Sequence, residues 1–580
     1  MKPSAFKHLF QLLYPYRFHV FLSFFLTLFP AYFAVWNPFL IGKLIDDGLV
    51  ARDQNQLIIY ASLVLACRIF LFFSNALVNY CLSAFGLQIL VDYRDQLLKK
   101  ILSYPISFFD RMSSGQLTTR LTNDINSLQE LFATALVPLI GNAFLILGVI
   151  IGMFVINWKL AIISILVVPL LFWITAVFNP RIRRRFGVMR QALSNLNSFS
   201  AESLSGSRDI QVFSAQESNL KEFETLSKKL QVKFVHAVRE YAFYNPIVPF
   251  INSLMDVLII AVGGWMVFHG QMSVGEVVAF LTYASNFNGP VREISEKFTV
   301  FQQAMASVDR LMEISNFESE PDAGNKVAPD FSRIEFQNIE FSYAGSKTPA
   351  VTHLNIKINK GEKIALLGET GSGKTTTCSL LMRFYEPSSG KILIDDLNLS
   401  EISLDSWRAQ IGWVSQDVTL FSTTLRENLS FFDSSISDEE IWNALEFVQL
   451  KKWAERLPFQ LDEMFSERGS TLSSGQRQLI SLARAIIRKP KLIIFDEATA
   501  YIDSHTEWLL QEAIDRLWSQ EDFKDTTSLF IAHRLSTLRK CDRMFVFRNG
   551  KIVETGNLNE LMNLKGYAAK LYEEQFRIQA

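Results

Sequence analysis

Gly368-Glu369-Thr370-Gly371-Ser372-Gly373-Lys374-Thr375 decides how this chain is read. It follows the apolar run Lys363-Ile364-Ala365-Leu366-Leu367, which reads as a strand, and precedes Thr376 to Phe384, which reads as a helix. Glycine, four residues, then Gly-Lys-Thr is the phosphate-loop spacing in the strand–loop–helix setting it requires. The glycines let the backbone curl until several N–H groups point at one anion. The helix N-terminus adds partial positive charge. Lys374 supplies a full charge for β- and γ-phosphates, and the Thr375 hydroxyl can bind Mg²⁺.

The chain has 580 residues, more than one hydrophobic core accommodates, so at least two domains are expected. A net charge of −1 gives no argument for nucleic-acid binding. Mean hydropathy is +0.16, but the average hides two halves. Residues before about 300 are apolar and Phe-rich; those after are ordinary soluble sequence. Cys67, Cys81, Cys378 and Cys541 have neither metal spacing nor disulfide density, so reduced thiols are expected. The polar start, Met1 to Lys7, does not read as a cleavable signal peptide.

A bilayer core needs about 20 apolar residues in a helix. Six stretches are expected to span it: about 18–41, 57–82, 131–156, 160–180, 241–268 and 275–300. The sixth is the weakest, with Asn286, Asn288, Gly289 and Pro290 inside it. Basic residues set the orientation. They gather at the N-terminus and in the two long connections, about 92–130 and 181–240, as with Arg181, Arg183, Arg184, Arg185 and Arg190. Both termini and both connections are therefore expected in the cytoplasm. The connections read as membrane helices extended into rods, with turns at Ser113-Ser114-Gly115 and Ser205-Gly206-Ser207. Arg68 and Asp256 stand inside expected spans, as a cavity patch, an Arg–Asp pair or a plain helix contact. Domain boundaries follow: a transmembrane domain over 1–315, an acidic, turn-rich linker over 316–332, and an α/β domain over 333–580.

In that last domain Tyr343 ends an alternating strand and could stack on adenine. Gln416 follows the strand Ile411-Gly412-Trp413-Val414 and could reach Mg²⁺ or the attacking water. Leu472-Ser473-Ser474-Gly475-Gln476 opens a helix and makes a second anion site. Lys491 to Phe495 runs straight into Asp496 and Glu497. The first carboxylate can hold Mg²⁺; the second can take a proton from water, worth about 10²–10⁴ in rate. His533 ends the next strand and could donate to the γ-phosphate.

Together these motifs resemble an ABC exporter half-transporter along essentially the whole chain. The resemblance implies six transmembrane helices extended into the cytoplasm and a P-loop nucleotide-binding domain, in a bacterial inner (plasma) membrane. It implies ATP and Mg²⁺ as cofactors. Tyr343 matches the adenine-stacking position, Gly368 to Thr376 the Walker A loop, and Gln416 the Q-loop. Leu472 to Gln476 match the signature motif that contributes Ser473, Gly475 and Gln476 to nucleotide binding. Asp496 and Glu497 match the Walker B aspartate and the catalytic base, Asp503 the D-loop and His533 the switch histidine. Regions near Asp110 to Leu121 and Ser205 to Phe213 resemble coupling helices.

Two departures stand out. The family's Leu-Ser-Gly-Gly-Gln signature has Ser474 in place of its first glycine, and the D-loop reads Ala500-Tyr501-Ile502-Asp503. An intact Walker site with a poorer signature is similar to the B subunit of heterodimeric multidrug exporters. The expected function is ATP-driven export of amphipathic small molecules, with a second half-transporter and membrane lipids as partners. A homodimeric lipid flippase is the alternative, and an ATP-gated channel or regulatory ATPase stands further off because Glu497 is intact.

Overall fold

A computed structural model describes residues 14–165, 167–320, 324–466, 469, 472–496, 504–531 and 538–576. The chain divides into two compact units. One comprises residues 1–102 and 114–317, the other residues 103–113 and 318–580.

The described residues of the first unit form helices joined by short turns. Four of its helices, Tyr14–Val50, Gln54–Leu102, Ser114–Ile156 and Gln216–Phe268, are long and apolar enough to cross a membrane. Phe18, Phe25, Tyr32 and Phe39, seven residues apart, lie exposed along one face of the first. That is tolerable only in an apolar solvent. The expected fourth and sixth spans fall within Trp158–Ile165 with Val167–Ser205, and within Val274–Ser315. Helices continue past their apolar stretches into both long connections, as the rod reading anticipated: Gln54–Leu102 and Val167–Ser205 run over 49 and 39 residues.

Small residues let these helices approach closely. A Cβ on Gly275 would lie 2.1 Å from the Gly42 carbonyl oxygen, and one on Gly152 would lie 2.8 Å from the Tyr283 ring. The Tyr283 hydroxyl donates to the Val35 carbonyl at 2.7 Å. Asp46 caps the helix Val274–Ser315, accepting from the Gly275 N–H at 2.7 Å and from the Ser273 hydroxyl. Further along, buried Asp124 gathers Arg120, Ser307 and Arg310, which ties two helices together by charge-assisted hydrogen bonds. No ion pair joins Arg68, which is exposed, to Asp256, which is half-buried, among the described residues.

The first rod tip differs from expectation. Pro105 halts the helix that ends at Leu102 and opens a short helix, Ile106–Arg111, whose Phe108 is buried. Ser114 and Gly115 already belong to the following helix. The short element at the first tip therefore precedes most of the Asp110–Leu121 region. At the second tip Gly206 does end one helix, and Ser207–Val212 follows as another short one.

The second unit is α/β. Its strands are β1 (Arg333–Phe341), β2 (Val351–Asn359), β3 (Lys363–Gly368), β4 (Ser389–Ile394), β5 (Leu397–Asn398), β6 (Ile411–Val414), β7 (Leu492–Asp496), β8 (Thr527–Ile531), β9 (Arg543–Arg548) and β10 (Lys551–Gly556). One sheet runs β2-β1-β4-β5 and is antiparallel. The other runs β10-β9-β3-β8-β7-β6; only β10 is antiparallel in it. Strands β7 and β8 are buried along nearly their whole length, as continuous apolar runs in a parallel sheet must be. One core lies between the two sheets around Trp407, Phe336 and Ile364; another lies on the far face, around Phe495, Leu479 and Leu510.

Candidate functional site

Parallel strands β3, β8, β7 and β6 all end on one edge of the six-stranded sheet. Ligands of open α/β sheets bind outside the carboxyl ends of their strands. The phosphate loop leaves β3 there, Asp496 ends β7 and Gln416 follows β6. Residues 497–503 and 532–537 lie outside the described residues, and with them Glu497, Asp503 and His533.

The loop has the backbone its glycines are needed for. Gly371 and Gly373 adopt φ of +80° and +107°, and a Cβ on Gly368 would lie 2.5 Å from the Phe547 carbonyl. Lys374 is buried, and its ammonium donates to the Gly368 and Glu369 carbonyls at 2.7 and 2.9 Å. The cation folds back over its own loop. Thr375 and Thr376 follow in the first turn of the helix Lys374–Leu381. Thr376 is buried, whereas Glu369 and Thr370 are exposed at the loop's start.

Ser372 carries the test of what this cradle fits. Its hydroxyl is buried and has no hydrogen-bond partner among the described residues. A buried hydroxyl without a partner costs free energy unless a ligand completes it. Beside a buried ammonium, a helix N-terminus and a left-handed glycine turn, an anionic oxygen is the fitting complement.

Tyr343 sits beside the loop, its hydroxyl 3.1 Å from the Thr376 hydroxyl. Its ring meets Phe341 and Tyr385 edge-on at 5.0 and 5.2 Å. The Tyr385 phenol in turn donates to Asp110 on the short helix Ile106–Arg111. These groups line a cavity of about 730 Å³ with Arg383 and Arg111. Sequence reading did not single out Tyr385; only the pairing of two distant aromatics could have pointed to it.

Asp496 is half-buried and lies close behind the phosphate-loop helix, where its charge adds to burial in pushing the Cys378 thiol up. Gln416 is held through its backbone: the Gln478 side chain donates to its carbonyl at 2.9 Å and to that of Ser415 at 3.3 Å. Gln478, from the helix Ser474–Ile486, is a second residue the sequence did not flag.

That helix opens with a capping box. The Ser473 hydroxyl accepts from the Gln476 N–H at 3.1 Å, and the Gln476 side-chain oxygen accepts from the Ser473 N–H at 3.0 Å. Gly475 is buried, and a Cβ there would lie 2.1 Å from Thr506 Cγ2. Ser474, by contrast, is half-buried in the first helical position, where a serine is accommodated. Arg484 lies deeper in the same helix. It donates to the Asn428 carbonyl at 2.6 Å and the Thr419 carbonyl at 2.8 Å and stands over the Phe431 ring, and burial pulls its pKa down to about 10.

Comparison with known proteins agrees with this geometry. Residues 20–291 match the family model for the ABC transporter transmembrane region, and residues 351–500 match that for the ABC transporter. The chain is 34% identical over 554 residues to the uncharacterized ABC transporter ATP-binding protein YfiC of Bacillus subtilis, covering 94% of this chain and 90% of that one. Against YknV of the same organism it is 34% identical over 544 residues, covering 93% and 89%. Against the ATP-dependent lipid A-core flippase of Escherichia coli K12 it is 31% identical over 539 residues, covering 93% and 92%.

Proposed function

This chain belongs to the ABC transporters, as an exporter subunit whose membrane region is joined to a cytoplasmic ATP-hydrolysing domain, and on that premise we propose that it is one half of a heterodimer exporting hydrophobic or amphipathic compounds. ATP hydrolysis drives the export. Six spans, about 18–41, 57–82, 131–156, 160–180, 241–268 and 275–300, form the membrane region of this reading.

In this reading Tyr343 stacks on adenine, and the backbone of Gly368 to Thr376 wraps the β- and γ-phosphates. Lys374 exchanges two carbonyl oxygens for phosphate oxygens, and Ser372 gains its missing partner. The orphaned Ser372 hydroxyl is the observation that carries the assignment. Thr375, Gln416 and Asp496 would hold Mg²⁺, which would supply charge neutralisation on the β- and γ-phosphates. Glu497 accepts the proton of the attacking water, and His533 donates to the γ-phosphate. Ser473, Gly475, Gln476 and Asp503 face the nucleotide of the second subunit.

The need for a second subunit has surface support. Phe421, Phe431 and Phe432 form an exposed aromatic patch on the nucleotide unit, with ring separations of 5.7 and 6.1 Å. Val212 and Phe213 stand exposed at the end of the short helix Ser207–Val212. An apolar tip from one chain and an apolar patch on another are complementary. Ser474 in place of a signature glycine favours unlike halves, with this chain's intact Walker site completed by its partner.

A lipid flippase, possible as a homodimer, is the second reading, and it is favoured by the 31% identity to the lipid A-core flippase. ATP hydrolysis by the chain purified alone in nanodiscs, with Glu497→Gln as control, separates the two assemblies. Strong activity lost in the control establishes the homodimer; a well-folded but inactive chain establishes a missing partner. Stimulation by lipid rather than by amphipathic drugs would decide for the flippase.

A further inference from the structure

The C-terminal helix Tyr567–Phe576 reaches back to the phosphate loop. The Tyr567 phenol donates to the Glu369 carboxylate at 2.7 Å. Three further features fix Tyr567 in place. Its N–H and that of Ala568 donate to the Glu554 carboxylate at 2.5 and 2.8 Å. The Arg548 guanidinium stands 4.9 Å from its ring centre. Gly566 is pressed so closely on Glu554 that a Cβ there would lie 2.2 Å from a carboxylate oxygen. Arg548 and Glu554 sit on the hairpin β9–β10, whose turn residue Gly550 donates its N–H to the Ser372 carbonyl at 3.1 Å. The last part of the chain thus hydrogen-bonds to the loop at Glu369 and at Ser372.

Glu369 is an awkward residue for its position. It is an acid at the entry of an anion cradle, and its own carbonyl is one of the two that hold Lys374. A carboxylate free to swing toward the cradle would repel a triphosphate and compete for the lysine. We infer that Tyr567 is a positioning residue that tethers the Glu369 carboxylate away from the nucleotide, so that the C-terminal helix sets the affinity of the phosphate loop for ATP. This rests on the assignment of Gly368 to Thr376 as the phosphate cradle and adds a control element outside it. The tether needs the phenol oxygen alone. The ring, its contact with Arg548 and the backbone bonds to Glu554 do not depend on it.

The test measures equilibrium ATP binding and steady-state hydrolysis on the full chain in nanodiscs, reconstituted with its partner subunit if hydrolysis requires one. Tyr567→Phe should weaken ATP binding about three- to tenfold, the range of one hydrogen bond, with the saturated rate little changed. Glu369→Gln, which removes the repelling charge but keeps the loop backbone, should bind ATP more tightly than the unmodified chain. The double variant should match Glu369→Gln, because the phenol has nothing left to restrain. The Tyr567→Phe defect should also shrink at high salt, which a merely structural defect would not do. An unchanged affinity in Tyr567→Phe, or the same loss in the Glu369→Gln background, overturns the tether. Lys374→Ala, run in parallel, should abolish binding; if it does not, the cradle assignment fails and the tether fails with it.

Discussion

The phenol of Tyr385 donates a hydrogen bond to the carboxylate of Asp110, so the short helix Ile106–Arg111 is fastened to the nucleotide unit beside Tyr343. Burial first, and then the bond to Asp110, push the Tyr385 phenol well above its usual range. A raised phenol pKa means the neutral donor is favoured in the folded protein. Its contribution is complete below the ordinary tyrosine value and is lost only as pH rises through the raised one. Thermal unfolding should therefore show no loss from this group between about pH 7 and 9. Tyr385→Phe should lower stability by about 1 kcal/mol at both ends of that range.

Ser372→Ala separates affinity from stability. The nucleotide-free protein should be unchanged or slightly more stable, because a buried hydroxyl without a partner is removed. ATP affinity should fall about five- to tenfold, measured by equilibrium binding. A stability loss without an affinity loss would contradict the site described here.

Gly475→Ala should destabilise even in the absence of any nucleotide. The added methyl meets Thr506 on the neighbouring helix Ser504–Ser519, so one helix must move. About 1–3 kcal/mol is expected from overpacking of this kind, read as a drop in the melting temperature of the nucleotide-free protein. A glycine required only by phosphate would leave that temperature unchanged.

Cys378 and Cys541 are both buried, and burial raises both thiols, Cys541 to about 12. A raised thiol pKa leaves almost no thiolate at neutral or mildly alkaline pH, and the thiolate is the reactive form. Alkylation at pH 7–9 should spare both until the domain unfolds. Labelling of either in the native protein at a rate that follows pH alone would show that they are accessible.

The phosphate loop was legible because its chemistry forces its sequence. Only glycine accepts the φ values found at Gly371 and Gly373, and the lysine must stand next to them. The strand ending in Asp496 was legible for a similar reason, since a doubly buried parallel strand is a continuous apolar run. The first rod tip was misplaced because Ser113-Ser114-Gly115 has turn composition, yet Pro105 breaks the helix earlier and Ser114 and Gly115 are carried into the next one. The resemblance assigns Gly475 to nucleotide binding, and the structure adds a packing constraint on it from Thr506 that no local pattern signals. Tyr385, Gln478 and Tyr567 were invisible because each acts on a partner between 62 and 275 residues away. No local pattern records such a pairing.

Strand β3, which delivers the phosphate loop, finds its two neighbours only late in the chain: Ile364 pairs with Leu529 on β8 and with Arg543 on β9. A ribosome that has just released residue 400 has made the whole loop and neither of its supports. The loop's tightest packing contact, Phe547, comes later still. The loop therefore gains the two strands that flank it only when almost all of the chain has been synthesised. An unfinished chain, or one cut short before β9, would carry every residue of the phosphate loop but not both of the strands that flank it.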